Sequence, residues 1–317
     1  MIKQVSILNT SISSNNLGDY IIMDSVKKEL NDIMPDSFFV ELQTHDKLGK
    51  VSYKNLKKSN LSIVGRTNLL SSNMNSYNQW KIGLIDSIFL KDVILMGVGW
   101  WQYQKDPNLY TKTLLRRVLS KKFFHAVRDN YTKRKLESIR ISNVINTGCP
   151  TMWNLTPDHC KKIPKIKSNN VVCTFTDYNT CLEKDRKLIR VLKKCYDKIY
   201  VWIQGSQDYE YIKRISEKDV LVIPPNLEAF NQLLKSHISL DYVGTRLHAG
   251  IRAMQFFKRV IIIGIDNRSI EIGKDFNLKV IERDNIKQLE NEINSNFETK
   301  LHLPLDDIEK WRNQFDG

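Results

Sequence analysis

No run of about 18 apolar residues, the length a bilayer-crossing helix needs, occurs in this 317-residue chain, so no transmembrane helix is expected. The opening MIKQVSILNTSISSNNLGD has only a short apolar run and lacks the pattern of a secretory signal, so it reads as a first strand. Cysteine is scarce. Cys149, Cys160, Cys173, Cys181 and Cys195 are odd in number and form no CxxC pair. That suits free thiols packed as small apolar groups in a reducing cytoplasm. No cluster with metal-ligand spacing is visible, so neither a metal nor a resident cofactor is expected. Zinc-finger and RNP motifs and an obvious recognition helix are also missing, which argues against nucleic acid as a partner. There is no internal repeat and no low-complexity tract.

What is present suffices for real cores: 41% hydrophobic and 9% aromatic residues, in a chain long enough for two domains. Lys and Arg number 49 against 35 Asp and Glu, a formal charge of +14. Residues 1–150 carry 22 basic and 12 acidic side chains, a net of +10; the remainder nets +4. The first half should therefore attract anions. Part of the lysine excess fits the Ile-, Asn- and Lys-rich usage of an AT-rich genome.

Strand and helix patterns alternate along the chain. Strands are expected at IKQVSIL, SFFVEL, LSIVG, DVILMG, FFHAV and ISNVIN, with a helix from Asn16 to Leu30 after the first. TPDHCKKIPKIKSNN (156–170), with two prolines and four lysines, reads as a linker. Alternation then resumes through VVCTFT, KIYVWIQ, VLVIP and ISLDYV, each followed by a helical pattern, and ends at RVIIIGI. LDDIEKWRNQF (305–315) reads as a terminal helix with an acidic first turn. The expectation is α/β: two Rossmann-like, doubly wound domains, 1–155 and 171–304, facing across a cleft, with a linker at 156–170 and a C-terminal helix at 305–317.

Candidate chemistry gathers where strands end. GTRLHAGIRA (244–253) places Arg246 and His248 at a strand-to-helix turn. There, free backbone N–H groups, a guanidinium and an imidazole can hold a phosphate or carboxylate. An ordinary polar surface turn is the alternative. IIIGIDNRS puts Arg268 after the next strand, either beside that turn or in a solvated loop. In AVRDNYT, Asp129 reads as a helix cap and Arg128, at the strand end, as the group facing the cleft. In SSNNLGDYIIM, Asn16 and Gly18 form a turn, and Asp19 either caps the first helix or takes a proton from a hydroxyl. GRTNLL and GVGWWQYQ are two more post-strand loops; Trp100, Trp101 and Tyr103 either stack on a sugar ring or simply pack.

Taken together, NLGD, AVRD, TGCPTMW (147–153) and GTRLHAGIRA followed by IGID resemble the polysaccharide pyruvyl transferase family over most of the chain. The resemblance implies a fold like the GT-B glycosyltransferases. It also implies transfer of the enolpyruvyl carbons of phosphoenolpyruvate (PEP) onto two hydroxyls of one sugar, giving a cyclic ketal on a bacterial cell-surface polysaccharide or its lipid-linked precursor. PEP is then a donor substrate, bound on the C-terminal side by Arg246, Leu247, His248 and Arg268 together with Arg128. His248 is the expected acid and Asp19 the expected base. Asn16, Gly18, Asp19, Trp100 and Trp101 are expected on the acceptor side. Where the family often has a lysine, this chain has Arg268, which keeps the charge but does not donate a proton.

Two other readings stay open: a nucleotide-sugar glycosyltransferase, with a carboxylate near Gly205 or at Glu228 reading the ribose, and a non-catalytic glycan-assembly protein. The expected location is the cytoplasm. LLRRVLSKKFF (114–124), with Arg116, Arg117, Lys121 and Lys122, reads as an amphipathic surface helix in preference to a contact with the inner face of an anionic membrane.

Overall fold

Apolar runs too uniform for a one-sided strand become central strands covered on both faces. β13 (Val260–Gly264) and β12 (Leu240–Gly244) are buried at every position. A computed structural model describes residues 2–65, 68–216 and 220–315. Contacts divide the chain into unit 1 (Met1–Ser14, Ile22–Trp153, Leu303–Gly317) and unit 2 (Asn15–Ile21, Asn154–His302).

Unit 1 holds a parallel sheet ordered β2-β1-β3-β5, from β1 (Lys3–Asn9), β2 (Ser37–Gln43), β3 (Leu61–Gly65) and β5 (Val93–Met96). Two short parallel pairs join it: β4 (Asn68–Leu70) with β6 (Gly99–Trp100), and β7 (His125–Val127) with β8 (Val144–Asn146). The second pair lies beside β5, since the Gly97 N–H donates to the Ala126 carbonyl at 3.0 Å. The helices are α1 (Leu17–Ile33, from Ile22), α2 (Lys50–Lys58), α3 (Leu109–Val118), α4 (Asn130–Glu137) and α12 (Leu305–Asn313).

Unit 2 is a six-stranded parallel sheet ordered β11-β10-β9-β12-β13-β14. Its strands are β9 (Asn170–Cys173), β10 (Lys198–Trp202), β11 (Leu221–Ile223), β12, β13 and β14 (Val280–Glu282). Counted within the unit, the order is 3-2-1-4-5-6, the dinucleotide-fold order, and winding reverses between β9 and β12. The helices are α5 (Pro157–Cys160), α6 (Leu182–Cys195), α7 (Asp208–Ile215), α8 (Leu227–Lys235), α9 (Leu247–Gln255), α10 (Asn267–Phe276) and α11 (Leu289–Asn294). Both units follow the doubly wound α/β plan read from the sequence.

The unit boundaries differ from the expected domain limits. Residues 156–170 cluster with unit 2 and contain α5. The His159 ring bonds the Met254 carbonyl at 2.8 Å and stacks on Phe257, so side-chain contacts tie this Pro- and Lys-rich stretch down. Residues 15–21 also cluster with unit 2, and α12 with unit 1. There Trp311 is buried against Trp153, and Arg312 pairs with Glu29 at 2.7 Å. Among the described residues no helix is long and apolar enough to cross a membrane, and no group of three His, Cys, Asp or Glu is placed to hold a metal ion.

Candidate functional site

Reversal of winding leaves a gap between the chains leaving β9 and β12, where ligands of such sheets bind. The sequence places Thr174 to Asn179 on one side of it and Thr245, Arg246 and α9 on the other. The two exits are stitched together: the Thr245 N–H donates to the Thr174 carbonyl at 3.0 Å, and the hydroxyls of Thr176 and Thr245 meet at 2.8 Å. Arg246 is the N-cap residue of α9, and no side chain caps that helix. Leu247 and His248 form its first turn, both buried.

The Arg246 guanidinium is almost enclosed. Nε donates to the Phe175 carbonyl at 3.0 Å, and Nη2 donates to Asp177 at 3.0 Å and to Asp208. Asp208 in turn accepts the backbone N–H of Gly205 at 2.7 Å and of Gln204 at 3.2 Å. Burial pushes the Asp208 carboxyl above its ordinary pKa, against the pull of Arg246 and the Gly205 N–H. Arg268 arrives from the end of β13, the strand next to β12, and pairs with Asp266. It also donates to the Tyr178 hydroxyl. The Tyr178 ring lies 5.2 Å from the Arg246 guanidinium and 5.6 Å from that of Arg268. The two arginines are thus neighbours through one aromatic ring. Each comes with its own carboxylate, so the site is less cationic than the arginines alone suggest.

The segment NNLGD reaches the same loops. Asn16 forms an antiparallel bridge with Gly205, and the Leu17 N–H donates to the Gln204 carbonyl at 2.9 Å. The Gln204 side chain donates to Asn16 at 2.8 Å, and the Ser206 N–H to the Asn15 carbonyl at 3.1 Å. A Cβ on Gly205 would stand 2.4 Å from Nη2 of Arg246, so only glycine admits both partners. Gly18 lies against the Gln204 amide, and Asp19 is buried in the first turn of α1. Asn16, Gly18 and Asp19 are therefore joined, through the loop after β10, to the turn that carries Arg246 and His248.

Residues of unit 1 are placed differently from expectation. Arg128 has no exposed surface. It bonds Asp129 at 2.6 Å, Asn68 at 2.7 Å and the Trp100 carbonyl at 3.4 Å, while Asp129 caps α4 through the Thr132 N–H at 2.7 Å. Trp100 is likewise fully buried, its indole N–H shared between Ser72 and Gln104. It packs in the core and cannot stack on a sugar; the even alternation of GVGWWQ hid which tryptophan turns inward. Trp101 is half-buried and packs on the exposed Tyr77 with ring centroids 4.1 Å apart, and Tyr103 is exposed beside Tyr131. Of the loop GRTNLL, Arg66 and Thr67 lie outside the described residues. In TGCPTMW, Trp153 is buried and donates to the Thr147 carbonyl at 3.0 Å, a packing role. Glu228 is exposed in the first turn of α8.

Sequence reasoning missed Asp177 and Tyr178, and touched Asp208 only as an unnamed carboxylate near Gly205. Their one signal was position: TDYN follows VVCTFT, and QGSQD follows KIYVWI, both directly after strands.

The family model for polysaccharide pyruvyl transferases matches residues 16–267, a span that begins at Asn16 and ends at the start of α10. The chain belongs to that family. Membership makes it a transferase of polysaccharide biosynthesis, and the matched span contains both NLGD and RLH. No curated protein sequence matches the chain. Among solved structures it is similar to the E. coli heptosyltransferase WaaC with ADP-2-deoxy-2-fluoro heptose, at 16% identity over 91% of this chain and 99% of that one, with a TM-score of 0.40. It is also similar to the lipopolysaccharide outer core galactosyltransferase WaaB, at 10% identity over 92% and 89%, TM-score 0.49. A third is the UDP-GlcNAc 2-epimerase from Neisseria meningitidis bound to UDP-GlcNAc, at 12% over 99% and 94%, TM-score 0.47.

Proposed function

We propose that the chain transfers the enolpyruvyl carbons of PEP to two hydroxyls of one sugar, forming a cyclic pyruvate ketal and releasing inorganic phosphate. The acceptor is a sugar of a cell-surface polysaccharide or its lipid-linked precursor. The observation that carries this reading is the Arg246–His248 turn at the reversal of winding in unit 2, in a chain of this family and with Arg268 at the adjacent strand end.

PEP presents a carboxylate and a phosphate on three carbons. In this scheme the uncapped start of α9 and the Arg246 and Arg268 guanidiniums receive those groups. His248 protonates the methylene carbon of the enol, and the cation-like C2 is attacked by the first sugar hydroxyl. The second hydroxyl then displaces phosphate. Of the two hydroxyl protons released, one replaces the proton His248 gave to the new methyl group, and the other leaves with phosphate. Asp19, buried in the segment joined to Gly205, serves as base for a hydroxyl. Arg128, enclosed in unit 1, acts as a positioning residue through Asp129 and Trp100. The scheme draws on no metal and no resident cofactor.

The deciding experiment is thermal stabilisation of the full chain by PEP beside UDP-sugars, GDP-sugars and inorganic phosphate. A ligand that binds only the native state adds about 2.7 kcal/mol at a hundredfold excess over its dissociation constant. The expected result is a rise with PEP that shrinks in Arg268→Ala. His248→Gln is expected to keep PEP binding and lose turnover by at least ~100-fold. A rise with a nucleotide sugar and none with PEP overturns the proposal in favour of glycosyl transfer.

A further inference from the structure

The region from α3 to the start of β8 is the most one-signed stretch of the chain. Between residues 109 and 143 there are ten Lys or Arg and two acidic residues. Asp129 is consumed by Arg128, and Glu137 stands 4.0 Å from Lys133. A cavity of about 370 Å³ opens there, lined by Arg116, Lys121 and Arg140 with Ser120, Ser142 and Asn143. No acidic side chain lines it, and among the described residues none of the three cations makes an ion pair.

Two features hold the two arginines at this pocket. Arg116 Nε donates to the Ile139 carbonyl at 2.8 Å, which leaves its terminal nitrogens for another partner. Arg140 occupies the left-handed position that ends α4, at φ 60°. The Ile141 N–H there bonds back to the Leu136 carbonyl at 3.2 Å, closing the helix. Glycine is the usual residue at such a position, and a side chain there is strained. Strain retained at one residue is informative where that residue has a task. Here it places a second guanidinium, beside that of Arg116, in the cavity lining. At the other end of α3, Ile85, Ile88 and Leu109 are exposed.

We propose that this pocket of unit 1 binds a phosphoryl group, as carried by an anionic lipid headgroup or by free phosphate or pyrophosphate. Three cations lining one cavity, with the serine hydroxyls of Ser120 and Ser142 beside them, suit a cluster of phosphate oxygens. All the residues lie in unit 1, so the inference does not rest on the reaction proposed above.

The test uses the full chain, a Lys121→Ala/Arg140→Gly double variant and a Lys57→Ala/Lys58→Ala control on α2. Arg140→Gly relieves the left-handed backbone, so the variant is expected to fold. Cosedimentation is measured with phosphatidylcholine vesicles with and without phosphatidylglycerol. Separately, amide NMR shifts of residues 116–143 are followed against inorganic phosphate and pyrophosphate. The expected result is binding that needs phosphatidylglycerol and weakens roughly thirty-fold in the double variant, with the control unchanged. Saturable shifts with free phosphate, lost in the double variant and without vesicle binding, also support the site and make its source a soluble anion. The proposal is overturned if the wild type responds to neither, or if the double variant binds as the wild type does.

Discussion

Arg246 is held by the structure before any donor arrives. Its side chain is 3% exposed, and its guanidinium ties Asp177, Asp208 and the Phe175 carbonyl into one unit. Removing one partner of a buried pair leaves a charge uncompensated, which costs about 3–5 kcal/mol. Arg246→Ala is therefore expected to lower the stability of unit 2 by that amount in chemical denaturation. Combining it with Asp208→Asn should cost less than the sum of the two single changes. Loss of activity in Arg246→Ala alone would say little about donor binding, so His248→Gln and Arg268→Ala are the informative variants. His125 is a second buried group with a readable consequence. Its Nδ1 faces the Leu95 N–H at 3.3 Å and its Nε2 the Ser120 carbonyl at 2.9 Å, an arrangement that suits the neutral ring. Burial pulls its pKa down to about 4, against the bond to Ser120. The unfolded chain takes up this proton near pH ~6.5 while the folded chain resists it. Stability is thus fully present above pH ~6.5 and declines as pH falls towards about 4, by ~3 kcal/mol in all. Denaturation of the wild type and His125→Gln at pH 5 and 7.5 should show a drop in the first that is reduced in the second.

At the scale of elements, the loop after β10 is the junction between the NNLGD segment and Arg246. Its backbone accepts the Leu17 N–H, pairs with Asn16 and offers two N–H groups to Asp208. Gly205 makes this possible, since a Cβ would lie 2.4 Å from Arg246 and 3.1 Å from Asp208. Gly205→Ala should push the guanidinium out of line. The expected outcome is a raised KM for the donor and a lowered melting temperature, compared with the solvent-exposed Gly49→Ala, whose Cβ would meet nothing within 4 Å. An unchanged KM would mean that Arg246 has no part in holding the donor.

Across the whole molecule, charge and chemistry are distributed unevenly. The net +10 of residues 1–150 gathers around α3 and α4, at the pocket of Arg116, Lys121 and Arg140. The arginines of the candidate transfer site are each paired with a carboxylate. Salt should therefore weaken any attachment through unit 1 steeply, because exposed cations are screened beyond a Debye length of about 8 Å at physiological ionic strength. Donor binding at the more enclosed arginines of unit 2 should respond less.

Local pattern along the chain was enough for the α/β class, the alternation of strands and helices, and the strand-to-helix turns that carry Arg246, His248 and Arg268. Those features follow from local periodicity and from the residues a turn admits, both of which are written along the chain. That Trp100 and Arg128 are enclosed follows only from the packed fold. Two adjacent tryptophans, or an arginine before an aspartate, look the same in sequence whichever way they point. The packed fold also decided that Asp177 and Asp208 join Arg246, because their meeting depends on the strand order 3-2-1-4-5-6, which brings residues 38 and 69 positions from Arg246 to one edge. The return of residues 15–21 to unit 2 and of α12 to unit 1 was beyond local reading for the same reason. A helix pattern states which face is apolar, and only the packed core states what covers it.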